Sequence, residues 1–168
     1  MEFKPKLVRR GKKGHFILLQ GTKNQQDITI LNIYAPNNVA SVYIKQTLLN
    51  FKNQINQNTL RVGNFNTPFS PLDRSSKQKL NKEIVGLNSR INGIDLMDIY
   101  RVFHPSSSEY TFFSAAHGSF SKTDHMLCHK EAINKYKEIE LLPCVLSNHN
   151  GMQLEMNDKT KNKNYSYN

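Results

Sequence analysis

The sequence predicts a mixed α+β or layered α/β domain, on three observations. Short β-branched, apolar runs alternate with stripes of apolar residues at helical spacing, the pattern of strands and helices packed in layers. Polar residues gather where the runs end, in loops of the kind that carry sites. The chain has 168 residues, 38% hydrophobic and 21% charged, enough for one core and too few for two.

The chain opens on a basic leader containing Lys4, Lys6, Arg9, Arg10, Lys12 and Lys13. Residues 15–20 form a short apolar run that reads as a strand, and 21–27 read as a polar turn. Residues 28–34 (ITILNIY) predict a buried strand, stopped by Ala35-Pro36-Asn37-Asn38. Ile44, Leu48, Phe51 and Ile55 recur at spacings of four, three and four, one face of an amphipathic helix. Residues 60–63 predict a strand that breaks at Gly63 into a loop carrying Asn64 and Asn66. Ser75 is the expected cap of a second helix with the stripe Leu80, Ile84, Leu87 and Ile91. A mixed segment follows over 96–103, then short strands at 110–113 and 126–128, and a last pair at 140–146 and 152–156. From Asn157 the chain (NDKTKNKNYSYN) has almost nothing to bury. The domain is therefore expected to span 1–156, and 157–168 to be a disordered polar tail.

Charge narrows the partners. The formal net charge is +10 and the isoelectric point is near 9.6. Such a balance favours polyanions, because each phosphate contact releases condensed counterions. Nucleic acid, DNA or RNA, is the polyanion expected as partner, and the oligomeric state is left open. No apolar run approaches the ~20 residues of a membrane span, so no membrane partner is expected. The basic start lacks the apolar stretch of a secretory signal. Cys128 and Cys144 fit neither a metal spacing nor a disulfide framework. They read as two reduced, partly buried thiols of an intracellular protein, in nucleus or cytoplasm.

Seven short segments occur in a telling order: LNIYAPN (31–37), GNFNTP (63–68), LDRS (72–75), DIYR (98–101), EYTFFSA (109–115), SKTDH (121–125) and LSNHN (146–150). Several motifs in order are a far more specific signal than one short match. Together they resemble the endonuclease domain of LINE (long interspersed element) retrotransposons, within the endonuclease/exonuclease/phosphatase superfamily. The resemblance implies a four-layered α/β sandwich, two sheets face to face with helices outside, and a site at one rim. The implied activity is hydrolysis of DNA phosphodiesters, with water attacking in line and a divalent cation, magnesium, stabilising the developing charge.

Carried over position by position, the resemblance assigns the phosphate-facing set. Tyr34 matches a tyrosine that contacts phosphate or tunes the nucleophile, and Asn66 a residue that orients water and phosphate. His149 matches a donor to the scissile phosphate, Asp124 the carboxylate that orients that histidine, and Thr111 a threonine near the DNA strand. The anionic set departs from the pattern. Asn64 stands where the family has the aspartate proposed as general acid/base, and Asn148 where it has a metal-binding aspartate. The family's early asparagine and metal-binding glutamate precede the basic leader, together with the opening strands and a helix. An amide carries no charge and accepts no proton at neutral pH, and magnesium is held largely by carboxylates.

The expected protein is thus a truncated, degenerate copy: a partial sandwich without its first strands and helix, holding its cation weakly if at all. It is expected to be a pseudoenzyme that binds nucleic acid non-specifically through its basic leader and through Arg61, Arg74, Lys77, Lys79 and Lys82. Two other readings stand beside it. One is a poorly folded translated relic with no selected role, and the other an active DNA endonuclease completed by an upstream segment.

Overall fold

A computed structural model describes residues 2–76 and 78–157. Six strands form the main sheet in the order β1-β2-β3-β4-β8-β5: β1 (Lys4–Arg10), β2 (Phe16–Lys23), β3 (Gln26–Ile33), β4 (Thr59–Asn64), β8 (Asp124–His129) and β5 (Leu96–Asp98). Helices α1 (Ala40–Asn50) and α2 (Lys82–Gly93) cover one face. Their stripes of Ile44, Leu48, Leu87 and Ile91 meet Leu18, Leu31, Ile33 and Leu127 from the strands in one buried cluster. A two-stranded sheet of β9 (Tyr136–Leu142) and β10 (Gly151–Met156) lies against the other face. There Tyr136 and Ile139 pack with Cys128 and with Ile99 and Tyr100 of the short helix α3 (Ile99–Phe103). The described residues thus form three layers of a partial sandwich. Among them, no helix is long and apolar enough to cross a membrane.

Parallel pairing of β3 with β4 lets α1 cross over between them. Both strands therefore end on one edge, and the antiparallel β8 begins there, with Asn64 paired to Asp124. A hairpin of β6 (Phe112–Ser114) and β7 (Ser119–Ser121) projects at the same edge.

Several expectations need correction. The basic leader is strand β1, an exposed edge that pairs with β2 from Lys4 to Arg10. Residues 21–27 are mostly strand as well. The turn is only Asn24 and Gln25, whose φ values of 52° and 62° suit a two-residue hairpin. Ile55 lies beyond the end of α1. Asn81, not Ser75, caps α2 by accepting from the Ile84 N–H, which leaves Leu80 outside the helix. Ser75 instead accepts from the Phe120 N–H at 2.9 Å. Strand β9 starts four residues earlier than expected and ends at Leu142, and Val145 and Leu146 are almost fully exposed. Cys128 is buried, but Cys144 is exposed; both are free. Asn157, assigned to the tail, is pinned by its N–H to the Lys135 carbonyl at 2.8 Å. The tail 158–168 lies outside the described residues.

The small second sheet leaves part of the main sheet uncovered. Val8 and Ile17 are 51% and 39% exposed on the face away from the helices. Leu31, in contrast, is fully buried on the helix side. Leu31→Ala should therefore cost about 2–5 kcal/mol in a urea melt followed by circular dichroism. Val8→Lys should stay within about 0.5 kcal/mol. Equal losses would mean that the outer face is packed, and the lack of any cooperative transition would mark the chain as the poorly folded relic.

Candidate nucleic-acid site at the sheet rim

The rim is built by loops that hydrogen-bond one another. Gly63 has φ +127°, and a Cβ there would sit 2.2 Å from the Ile33 carbonyl oxygen, so only glycine lets β4 and β3 approach this closely. The next residue, Asn64, accepts from the Ala35 N–H through its carbonyl at 2.9 Å. Its Oδ1 accepts from the Asn66 N–H at 2.9 Å, and Asn66 Nδ2 donates to the Ala35 carbonyl at 2.6 Å. Asn66 adopts a left-handed conformation, φ 48°, which asparagine tolerates better than most residues. Tyr34 stands next to this knot, half exposed, with its N–H bonded to the His15 carbonyl at 2.8 Å.

Across the β4–β8 pairing, Asp124 lies beside Asn64. His149 Nδ1 is 3.0 Å from Asp124 Oδ2. The ring also packs on Phe112, at 4.7 Å between centroids. His149 Nε2 has no partner among the described residues, which leaves it free to donate to a phosphate oxygen. Thr111 is fully buried, and its Oγ1 accepts from the N–H groups of Thr123 and Asp124 at 3.1 and 3.2 Å. Contact with a DNA strand would require those bonds to open; in place, Thr111 positions Asp124. Asn148 is exposed, and its carbonyl accepts from the Phe113 N–H at 3.0 Å. Tyr34, Asn64, Asn66, Asp124, Asn148 and His149 thus share one edge.

The donor set does not suit magnesium. Asn64 Oδ1 is committed to a backbone N–H, Asn148 offers a neutral amide, and Asp124 is engaged by His149. Among the described residues, no three His, Cys, Asp or Glu side chains converge to hold a metal ion. A hard cation calls for more carboxylate than this edge presents.

Beneath the rim lies a cluster drawn from the DIYR and SKTDH segments, whose members carry no role implied by the resemblance. Lys122 is 0% exposed, and its Nζ donates to Asp98 Oδ2 at 2.8 Å. His125 Nδ1 lies 3.1 Å from the same oxygen and 2.9 Å from Lys122 Nζ. The other ring nitrogen, Nε2, donates to the Thr67 carbonyl at 2.8 Å and so fixes the loop that carries Asn66. Burial alone would raise the Asp98 pKa. The Lys122 charge and the His125 hydrogen bond outweigh it and hold the carboxyl well below the usual range. Asp73 of the LDRS segment meets Arg101 of DIYR at 2.5 Å in a similar structural pair. Arg61, expected on a basic surface, is instead buried. Lys77 lies outside the described residues.

Because the folded pKa of Asp98 is lowered, its contribution to stability is fully present above the unfolded value of about 4 and is lost as pH falls through the folded value. Asp98→Asn should cost about 3–5 kcal/mol near neutral pH, since it strands the Lys122 charge. It should also flatten the loss of stability below about pH 4. Urea midpoints between pH 7 and pH 3 measure both effects; an unchanged acid limb in the variant would exclude Asp98 as the titrating group.

No known family profile matches the sequence. Solved structures do match over most of its length. An AP endonuclease from Archaeoglobus fulgidus superposes with a TM-score of 0.77 at 14% identity, over 93% of this chain and 72% of that one. The 3′ phosphatase NExo from Neisseria, bound to a product DNA hairpin, gives 0.74 at 15% identity, over 91% and 71%. The endonuclease domain of TRAS1, a telomere-specific non-LTR retrotransposon, gives 0.72 at 11% identity, over 90% and 69%. With nine-tenths of its length matched to nucleases and phosphatases, the chain is a partial endonuclease/exonuclease/phosphatase-fold domain.

Proposed function

We propose that this chain is a degenerate endonuclease domain of the LINE retrotransposon type, which holds nucleic-acid phosphate without sequence preference and no longer hydrolyses it. The observation that carries the reading is the Asp124–His149 pair at 3.0 Å beside an amide, Asn64, in place of a carboxylate. In this reading the groups that grip a phosphate remain and the groups that hold a cation and move a proton are gone. His149 Nε2 donates to a phosphate oxygen, Asp124 fixes the ring through Nδ1, and Asn66 and Tyr34 border the same oxygens. Neutral Asn64 and Asn148 offer no like charge to repel the phosphate, so no cation is needed between protein and strand.

The retrotransposon assignment is supported by the TRAS1 match and by the seven ordered motifs. DNA as the partner is supported by the charge of +10 and by the DNA-bound NExo neighbour. Exposed Phe113 and Phe120, 4.7 Å apart on the β6–β7 hairpin, add rings on which a base of either DNA or RNA could stack.

Fluorescence anisotropy on two unrelated duplexes, with magnesium and with EDTA, tests the binding. Affinity should fall with salt at a log–log slope near −0.9 per neutralised phosphate, alike for both duplexes and alike with EDTA. Binding that requires magnesium, or that prefers one duplex more than about tenfold, would contradict it. Plasmid nicking with magnesium should stay at background. Asn64→Asp with Asn148→Asp should not restore full activity, while nicking by the unaltered protein that vanishes in His149→Ala would identify a working nuclease.

A further inference from the structure

At the opposite end of the sheet from the rim, where β4 begins and β8 ends, the ends of α1 and α2 enclose a cavity of about 410 Å³. That volume suits a small organic molecule. Its floor is apolar, with Leu48, Ile55 and Ile94, yet Arg61 and Arg90 also line it. Arg61 projects from β4 toward the helices and is only 4% exposed. One terminal guanidinium nitrogen donates to the Thr59 carbonyl at 2.7 Å. Its Nε is buried without a partner, and so is that of Arg90. Among the described residues, neither guanidinium has a carboxylate within ion-pairing distance. Burial pushes the Arg61 pKa down from 12.5 to about 10.

A buried cation without a counter-charge costs free energy. Lys122 solves the same problem with Asp98; Arg61 has no such solution among the described residues. Lys52 adds a third positive charge to the lining. The one carboxylate there, Asp95, has an exposed side chain and lies 3.9 Å from Lys130. His129 Nδ1 is already an acceptor for the Glu131 N–H.

We propose that this cavity binds a small organic anion, its carboxylate or phosphate head on Arg61 and Arg90 and its apolar body on Leu48, Ile55 and Ile94. Guanidinium forks are suited to both head groups, and Arg61 and Arg90 both line the cavity without a carboxylate partner among the described residues. The apolar floor favours a ligand with a hydrocarbon body over inorganic phosphate. The site is separate from the rim: Arg61 lies three residues before Asn64 along β4, about 10 Å at the rise of a strand. It does not rest on the nucleic-acid reading.

The test uses the full chain and two probes, hexanoate and inorganic phosphate, at constant ionic strength. Thermal melts should rise saturably with hexanoate and less with phosphate. The Arg61 Nε–H resonance should shift over the same concentration range. Arg61→Met should melt higher than the unaltered protein without anion and should not respond to hexanoate. Arg90→Gln, on a partly exposed helix face, should keep the fold and weaken hexanoate by roughly tenfold or more. It keeps the test decisive if Arg61→Met fails to fold. Equal hexanoate responses in the unaltered protein and Arg90→Gln, or an Arg61 Nε–H signal indifferent to both probes, would overturn the proposal. A DNA duplex that displaces hexanoate would assign the cavity to nucleic acid instead.

Discussion

The rim depends on one buried charge. Asp98 closes a network in which its Oδ2 takes Lys122 and His125 while its Oδ1 caps α3 through the Tyr100 N–H at 3.1 Å. The pair of bonds from His125, one to Asp98 and one to the Thr67 carbonyl, links β5, β8 and the loop after β4. Phe69 stacks on that ring at 3.9 Å between centroids and seals it from water. Removing any member leaves a charge or a donor stranded in the interior, and such losses exceed the strength of an ordinary hydrogen bond. The site residues above it are less deeply buried, Tyr34 and Asn148 being exposed and Asn64, Asn66, Asp124 and His149 partly so; their geometry is inherited from what lies beneath.

The second consequence concerns charge at the edge. A carboxylate-rich rim repels phosphate until a cation lies between them. With amides at Asn64 and Asn148, the one acidic side chain of the set is Asp124, already engaged by His149. Holding phosphate and cleaving it are different demands. The first needs donors and positive potential, the second a general base and a bound metal. Asn64 and Asn148, as neutral amides, supply neither a base nor a charge for a cation, while Asn64 Oδ1 accepts the Asn66 N–H and holds the backbone knot together.

Much of the fold was legible because apolar periodicity reports burial. Leu31 and Ile33 of the run at 28–34 and the stripes through Ile44, Leu48, Ile84, Leu87 and Ile91 are buried as that pattern requires. Strand β1 was not legible, since all seven of its residues are exposed and its lysines and arginines carry no inward alternation. Edge strands are commonly charged for that reason. Ser75 and Asn81 are both plausible caps; tertiary contact with Phe120 decides against Ser75. At the site, Asp124 and His149 were visible only through their motifs, because partners 25 residues apart leave no local signal. The Lys122–Asp98–His125 cluster went unassigned because a lysine reads as solvated until its burial is seen.

The uncovered part of the main sheet bears on how far the rim can be trusted to hold. Val8 and Ile17 lie on the face that the two-stranded sheet leaves open, at the β1–β2 edge. Tyr34 is held at that end by His15, but the other rim residues are anchored elsewhere. Phe65 and Ala35 belong to the helix-side core, and Asp98, Lys122 and His125 lie between that core and the cluster around Tyr100. Fraying at the open edge would have to pass through β3, whose Leu31 and Ile33 are fully buried, before it reached Asn64. Local opening follows the elements with the fewest buried contacts. The β1–β2 edge can therefore open without disturbing the loops that bring Asp124 to His149.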